Sequence, residues 1–352
     1  MQIEIYNMIP VGENIYISLE AVCDSFSSLL WDIEYYKCGA FEVYIAASPR
    51  NIEIFQTGRI VGRDDDKEHF GLIESVELET DAEDGDYLII KGRFLMCLLE
   101  RRIIYPTFNF TKFVSYSQII MNVVQYNACT AGIRKIPGLV VGCSSGSCWD
   151  AKTKLQVSYD NLMEWVYTIC EKIGGTANIR LSKIDNEQYE MIFELSQGTD
   201  RSILQEENPH IIFSDRYNNL LSFTYFTDTS VKKNYAYVLG KGEGEKRKRT
   251  TYFEGSEPSS LDRYEVYVDA KDISDEEQEN GETKPLSEEE YAELLKEKGK
   301  QNLVTAKTKS ESQIAVQSTQ FQYGVDYFVG DFVTVEHHRF GIRQNKIQLV
   351  GM

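Results

Sequence analysis

The sequence predicts an α+β protein, mainly β, with an α/β segment set between two β regions. Three observations carry this. Tyr and Phe are abundant, 22 and 17 of 352 residues, and with frequent Ile and Val they favour strands. Short strand-like runs split by turn signals recur over the first 105 residues or so and again after residue 206. Helical spacing is confined to the middle of the chain and to one acidic stretch near its end. The expected divisions are 1–105, a first β unit; 106–205, the α/β insertion; 206–268, the start of a second β unit; 269–305, an acidic helical insertion; and 306–352, the closing strands.

Residues 2–8 and 14–22 read as short strands around the turn Pro10-Val11-Gly12-Glu13-Asn14. Phe41, Val43 and Ile45 alternate in the next strand. Residues 60–95 read as strand, turn, strand, turn, strand, with Glu83-Asp84-Gly85-Asp86 as a hairpin tip. The spacing suits a small antiparallel barrel or sandwich. Ile119, Ile120, Val123 and Val124 then fall at helical spacing within 115–128. Residues 159–175 give a clearer helix. Asp160 can cap it, Leu162, Trp165, Val166, Ile169 and Ile173 share a face, and Gly174-Gly175 stops it. Residues 177–184 and 189–196 read as a hairpin around 185–188. Strands resume over 210–230.

Twelve acids and four lysines lie between Asp269 and Lys298, which reads as solvated, partly unstructured surface. Within it, residues 285–299 carry a helix signal. Ser287 and Glu290 form a capping box, acids fill the first turn, lysines fill the last, and Gly299 closes it. The final residues return to strands.

A net charge of −18 suits duplex nucleic acid poorly, because such partners are held by basic surfaces. The first residues lack a basic stretch followed by an apolar one, so no secretory leader is expected. No apolar run approaches the roughly 20 residues of a membrane span. Seven scattered cysteines read as reduced thiols of a protein made in a cytoplasm, with Cys129 and Cys170 in the core.

The stretch Tyr237–Phe253, YVLGKGEGEKRKRTTYF, sets Gly240, Gly242 and Gly244 at alternate positions before Lys246, Arg247, Lys248 and Arg249. It is not a phosphate loop. Glu245 follows the last glycine where a lysine is required, and a β run follows where a helix is required. The glycines also lack the third position of a dinucleotide fingerprint. Alternate glycines leave a bare backbone face that another chain or segment can approach closely. The four basic residues read most simply as a solvated strand end. Their functional reading is contact with an acidic neighbouring subunit, which makes these seven residues the candidate intersubunit site.

No catalytic set assembles. Cys143 and Cys148 have the spacing of half a metal site, without a second pair or a nearby His, and a flexible Gly/Ser loop is expected there. His69, His210, His337 and His338 join no local cysteine-nucleophile signature, and His337-His338 reads as a turn or surface pair. Asp64-Asp65-Asp66 lacks the glycine and the twelfth-position Glu of a calcium loop and reads as a polar hairpin tip. No Ser sits in G-x-S-x-G. No catalytic, cofactor-binding or metal residue is expected, and the chain reads as a non-enzyme.

Several stretches, in order, resemble a known family. Residues 71–104 carry Gly71-Leu72-Ile73-Glu74, then Gly92-Arg93, then a helix ending in Arg101-Arg102. The Gly-Glu-Gly and basic run of 239–249 follows. Glu290-Tyr291 and Leu295 fall in the acidic helix. Tyr327 and Gly330-Asp331 precede a β run and a final strand. Over roughly residues 40–352 this order is similar to the siphovirus tail family known as the gene-product-thirty-seven-like family.

The resemblance implies a structural protein of the tail tip, related to the hub of contractile tails and to the N-terminal module of tail-associated lysins. It implies two small antiparallel β-barrels joined by the α/β insertion, and three copies in a ring whose six barrels match a sixfold tail tube. The implied partners are further copies of the chain, the distal tail protein, the tape-measure protein, and fibre or receptor-binding proteins. The implied place is the virion tail tip, after synthesis in the host cytoplasm. There the ring would line the DNA exit channel without specific nucleic-acid recognition, and acidic walls would repel DNA phosphates. The sequence ends at Met352, just after the closing strand, so no attached lysin is expected. The alternative is a receptor- or glycan-binding tail protein that stacks sugars on its tyrosines and on Trp31, Trp149 or Trp165. Trp165 is expected in the core, which leaves Trp149, in the Gly/Ser loop, as the tryptophan to test. A peptidoglycan-degrading tail enzyme ranks below both.

Overall fold

A computed structural model of the chain describes residues 1–11, 14–81, 85–130, 132–185, 188–279, 282–305, 309–316 and 320–352. The first strands are β1 Ile3–Val11, β2 Asn14–Cys23, β3 Phe26–Asp32 and β4 Ala40–Ala46, followed by helix α1 Pro49–Ile54. Then come β5 Ile60–Arg63, β6 Asp66–Asp81, β7 Gly85–Phe94 and the short α2 Cys97–Glu100. Parts of two expected turns, residues 12–13 and 83–84, lie outside the described residues. The next elements are β8 Phe108–Ser115, α3 Tyr116–Val124, β9 Leu139–Ser144, β10 Lys152–Val157, α4 Leu162–Ile173, β11 Thr176–Lys183 and β12 Tyr189–Ser196. β11 and β12 form the expected antiparallel hairpin, of which residues 186–187 lie outside the described set.

Ten of these strands make one sheet among the described residues. Its order is β11-β12-β2-β1-β5-β6-β7-β4-β3, with β9 parallel beside β12. The sheet is open, with β3 and β11 at its ends, so the first of the two expected barrels does not form. Tyr189 of β12 pairs with Ile17 of β2, so a strand of the insertion covers the flank of β2 that a closing strand would use. Register shifts at Ile5/Tyr6, Phe26/Ser28 and Ile73/Ser75 bend the strands without joining the two ends.

Side chains alternate across a strand, so the sheet buries apolar groups on both faces. Ile3, Ile5, Phe41, Val43, Ile45, Val61 and Ile73 share one core. Tyr6, Ile60 and Leu72 share the other with Ile119 and Val123 of α3 and Leu162, Val166 and Ile169 of α4. Asn161, not Asp160, caps α4. Its side chain accepts from the N–H groups of Met163 and Glu164 at 3.1 and 3.2 Å, which Asp160 precedes by one residue too many to reach. Gly174 ends α4 at φ +78, with its N–H on the Cys170 carbonyl.

The second half contains β13 Ile212–Ser214, β14 Leu220–Asp228, β15 Tyr235–Leu239, β16 Arg249–Tyr252, β17 Glu265–Asp269, β18 Glu276–Glu279 and β19 Glu282–Pro285. After these come α5 Glu288–Thr305, β20 Lys309–Val316, β21 Phe332–His337 and β22 Ile342–Gln348. They form separate small sheets, β13-β21-β22, β16-β15-β17, β14-β20 and β18-β19, and none closes into the second expected barrel. Among the described residues β14 pairs with β20 alone, and no continuous ladder links these sheets into one cylinder.

The family-like motifs have visible packing roles. Arg93 donates to Glu74 at 2.8 and 2.9 Å and to Glu100 at 2.7 Å, fixing β7 to β6 and α2. The buried Asp331 carboxylate accepts from Thr199 N–H at 2.6 Å, Arg201 Nε at 2.9 Å and Phe328 N–H at 3.1 Å. That bond set ties the closing strands to the end of the insertion. Ile33 and Met352 exchange backbone hydrogen bonds of 2.8 Å, which add the end of the chain to the segment after β3. Among the described residues, no helix is long and apolar enough to cross a membrane.

Candidate intersubunit contact site

The candidate loop joins β15 to β16, and β15 also pairs in parallel with β17. Gly240 N–H bonds the Lys248 carbonyl at 2.8 Å, and Lys248 N–H bonds the Lys241 carbonyl at 2.9 Å. Gly242 and Gly244 turn the chain at φ +110 and +54, the left-handed region where glycine is least strained. Gly240 has a different role, because its bare face is covered by α5 of the same chain. A Cβ there would lie 2.3 Å from the Tyr291 hydroxyl oxygen and 3.0 Å from Leu295. Tyr291 is buried. Its hydroxyl accepts from Lys241 N–H at 2.9 Å and donates to the Ile273 carbonyl at 3.3 Å.

The four basic residues divide in the same way. Arg247 folds back on its own hairpin, donating to the carbonyls of Gly240 and Leu239 at 2.6 Å each and to the Tyr267 hydroxyl at 2.8 Å, and it pairs with Asp269. Lys246, Lys248 and Arg249 stay exposed, with the Lys248 ammonium 5.4 Å over the Tyr291 ring. The tip therefore presents three cations, while Gly240 and Arg247 hold its shape.

α5 supports the hairpin from below. The capping box forms as expected. Glu290 N–H donates to Ser287 Oγ at 3.2 Å, and Ser287 N–H donates to the Glu290 carboxylate at 3.1 Å. Gly299 does not end the helix, which runs on to Thr305. It lies where α5 crosses the hairpin, and a Cβ would come within 2.7 Å of Val238 and 3.0 Å of Tyr252. The acidic segment is less purely solvated than expected. Asp275 pairs with Lys241 at 2.8 Å, Asp272 with Lys298 at 3.2 Å and Glu293 with Lys154 at 3.1 Å, while Glu288 and Glu289 are exposed. Residues 280–281 of this segment lie outside the described residues.

The side chains weighed for chemistry find structural partners. His69 Nδ1 lies 2.9 Å from Asp66, His210 bonds the Gln205 carbonyl, His337 Nδ1 lies 3.5 Å from Asp215, and His338 meets Arg216. Burial pushes the Cys148 thiol up to about 11, far from a reactive thiolate. Among the described residues, no group of His, Cys, Asp or Glu side chains is placed to hold a metal ion. Trp149 is not a stacking surface. It is buried, and its indole N–H donates to the Ser196 carbonyl at 3.2 Å. Trp31 and Trp165 are buried too.

Sequence reading missed one surface. The β14–β20 ribbon exposes Leu221, Tyr225 and Phe226. The run Leu220-Leu221-Ser222-Phe223-Thr224-Tyr225-Phe226 has apolar residues on both faces, and that loss of alternation was the available signal.

Comparison with known proteins places these features in a family. Residues 3–348 match the model of the siphovirus ReqiPepy6 Gp37-like protein family. The chain belongs to this family of phage tail proteins. Solved structures share its fold over nearly its full length. A tail protein from Neisseria meningitidis MC58 is 14% identical, with a TM-score of 0.57 over 99% of this chain and 90% of that one. The 43 kDa tail protein of prophage MuSo2 from Shewanella oneidensis is 10% identical, with a TM-score of 0.55 over 100% and 93%. Prophage tail protein gp18 from Listeria monocytogenes EGD-e is 11% identical, with a TM-score of 0.54 over 100% and 89%. No curated protein matches the sequence.

Proposed function

We propose that the chain is a non-enzymatic hub protein of a phage tail tip. Three copies form a ring that links the tail tube and distal tail protein to the fibre or receptor-binding apparatus and lines the DNA exit channel. The single observation that carries this reading is the family match over residues 3–348. Two surfaces support it. The hairpin tip presents Lys246, Lys248 and Arg249 on a chain whose net charge is −18, so a second copy offers acidic surface to meet them. Among the described residues the β14–β20 ribbon leaves open edges and exposed aromatics, and an isolated two-stranded ribbon is marginally stable in water. Burial of all three tryptophans weighs against sugar stacking on them.

The test is charge reversal at Lys246, Lys248 and Arg249 together, with Arg247 kept because it braces the hairpin. The expected result is a well-folded chain that no longer self-associates, read by solution mass alongside an unchanged far-ultraviolet circular dichroism spectrum. Full assembly by the triple variant would remove the tip from the interface.

A further inference from the structure

We propose that a cavity between the α/β insertion and the β15–β16 hairpin binds a compact polyanion, an organic polyphosphate or a polycarboxylate. The cavity measures about 750 Å³, within the range of small-ligand sites. Its lining includes Tyr116 at the start of α3, Lys172 near the end of α4, Lys232 and Lys233 after β14, Tyr252 of β16 and Lys300 of α5. Four lysines from three separate parts of the chain thus border the cavity, in a protein with 55 acids and 37 Lys and Arg; the Lys172 ammonium is itself buried against Glu297, and that of Lys232 lies 5.1 Å over the Tyr264 ring.

The carboxylates nearby do not balance them. Glu297 contacts Lys172 and accepts from the Tyr116 hydroxyl at 3.3 Å. Glu254 lines the cavity and has a partner of its own. Among the described residues, no carboxylate pairs with Lys232, Lys233 or Lys300. Burial, and then the charge of Lys300, pull the Lys172 ammonium down to about 7. Lys300 and Lys172 repel one another, and a ligand carrying two or more negative charges relieves that repulsion. Lysine suits this role as a compact point charge for phosphate or carboxylate oxygens. The rings of Tyr116 and Tyr252, with Leu303, supply an apolar wall for the body of the ligand.

The experiment is calorimetric titration of the full chain with tripolyphosphate and, separately, with citrate. The buffer holds about 0.15 M salt, where charges farther apart than about 8 Å are largely screened. Saturable binding of one probe per chain is expected for at least one of the two, and the stronger of them names the anion class. Lys232→Ala with Lys233→Ala, in a half-exposed segment, should weaken it by about tenfold or more. Lys246→Ala with Lys248→Ala, outside the cavity, should leave it unchanged. Melting without ligand checks that both variants fold. No saturable binding to either probe, or equal weakening by the two variant pairs, would overturn the proposal.

Discussion

Asp66 sits at the turn between β5 and β6 and acts as an internal anchor. Its carboxylate accepts from the Trp31 indole N–H at 3.1 Å, from the N–H groups of Glu68 and His69, and pairs with the His69 ring. Burial by itself would raise its pKa. The His69 hydrogen bond and charge, with the two backbone N–H groups, outweigh burial and hold it at about 2, against an ordinary 3.8. A depressed folded pKa stabilises the fold fully above about pH 4, and that contribution is lost as pH falls through about 2. Asp66→Asn should therefore cost roughly 2 kcal/mol at pH 7, by denaturant unfolding, and progressively less towards pH 2. A pH-independent cost would contradict this origin. Asp331→Ala should be harsher, about 3–5 kcal/mol, because it leaves the largely buried Arg201 guanidinium without its carboxylate. Sequence alone placed Asp66 at a hairpin tip. It could not show the link to Trp31, because that pairing depends on how distant strands stack.

At the scale of elements, local signals worked where local bonds decide. Gly174 stops α4, and Ser287 with Glu290 starts α5, because each acts on backbone groups within a turn of itself. Gly299 misled for the opposite reason. A glycine after a lysine-rich turn reads as a stop, yet here it lets α5 pass close to Val238 and Tyr252, residues remote in sequence. Gly299→Val should cost about 1–3 kcal/mol through overpacking, seen as a lower denaturation midpoint. A neutral or stabilising effect would show that the crossing has slack. The candidate loop was legible in composition but not in its division of labour. Gly242, Gly244 and the exposed cations match a turn and a charged tip, while Gly240 and Arg247 serve the chain's own hairpin and helix.

For the whole molecule, the order of strands and helices was largely readable, and the closure of the sheets was not. Alternation places Phe41, Val43 and Ile45 on a buried face, but it is silent on which strand lies beside β2. Among the described residues one pairing, between Tyr189 and Ile17, extends the first sheet into the insertion, and the sheet stays open. The motif order that resembles a tail family is consistent with a match over residues 3–348, and residues such as Asp331 and Arg93 show that parts of it encode packing. Solution mass across a dilution series decides whether the chain assembles into a ring of three. The expected species is near three times 40.4 kDa, and charge reversal at the hairpin tip should return it to a single chain. A wild-type mass of 40.4 kDa at every concentration would contradict it.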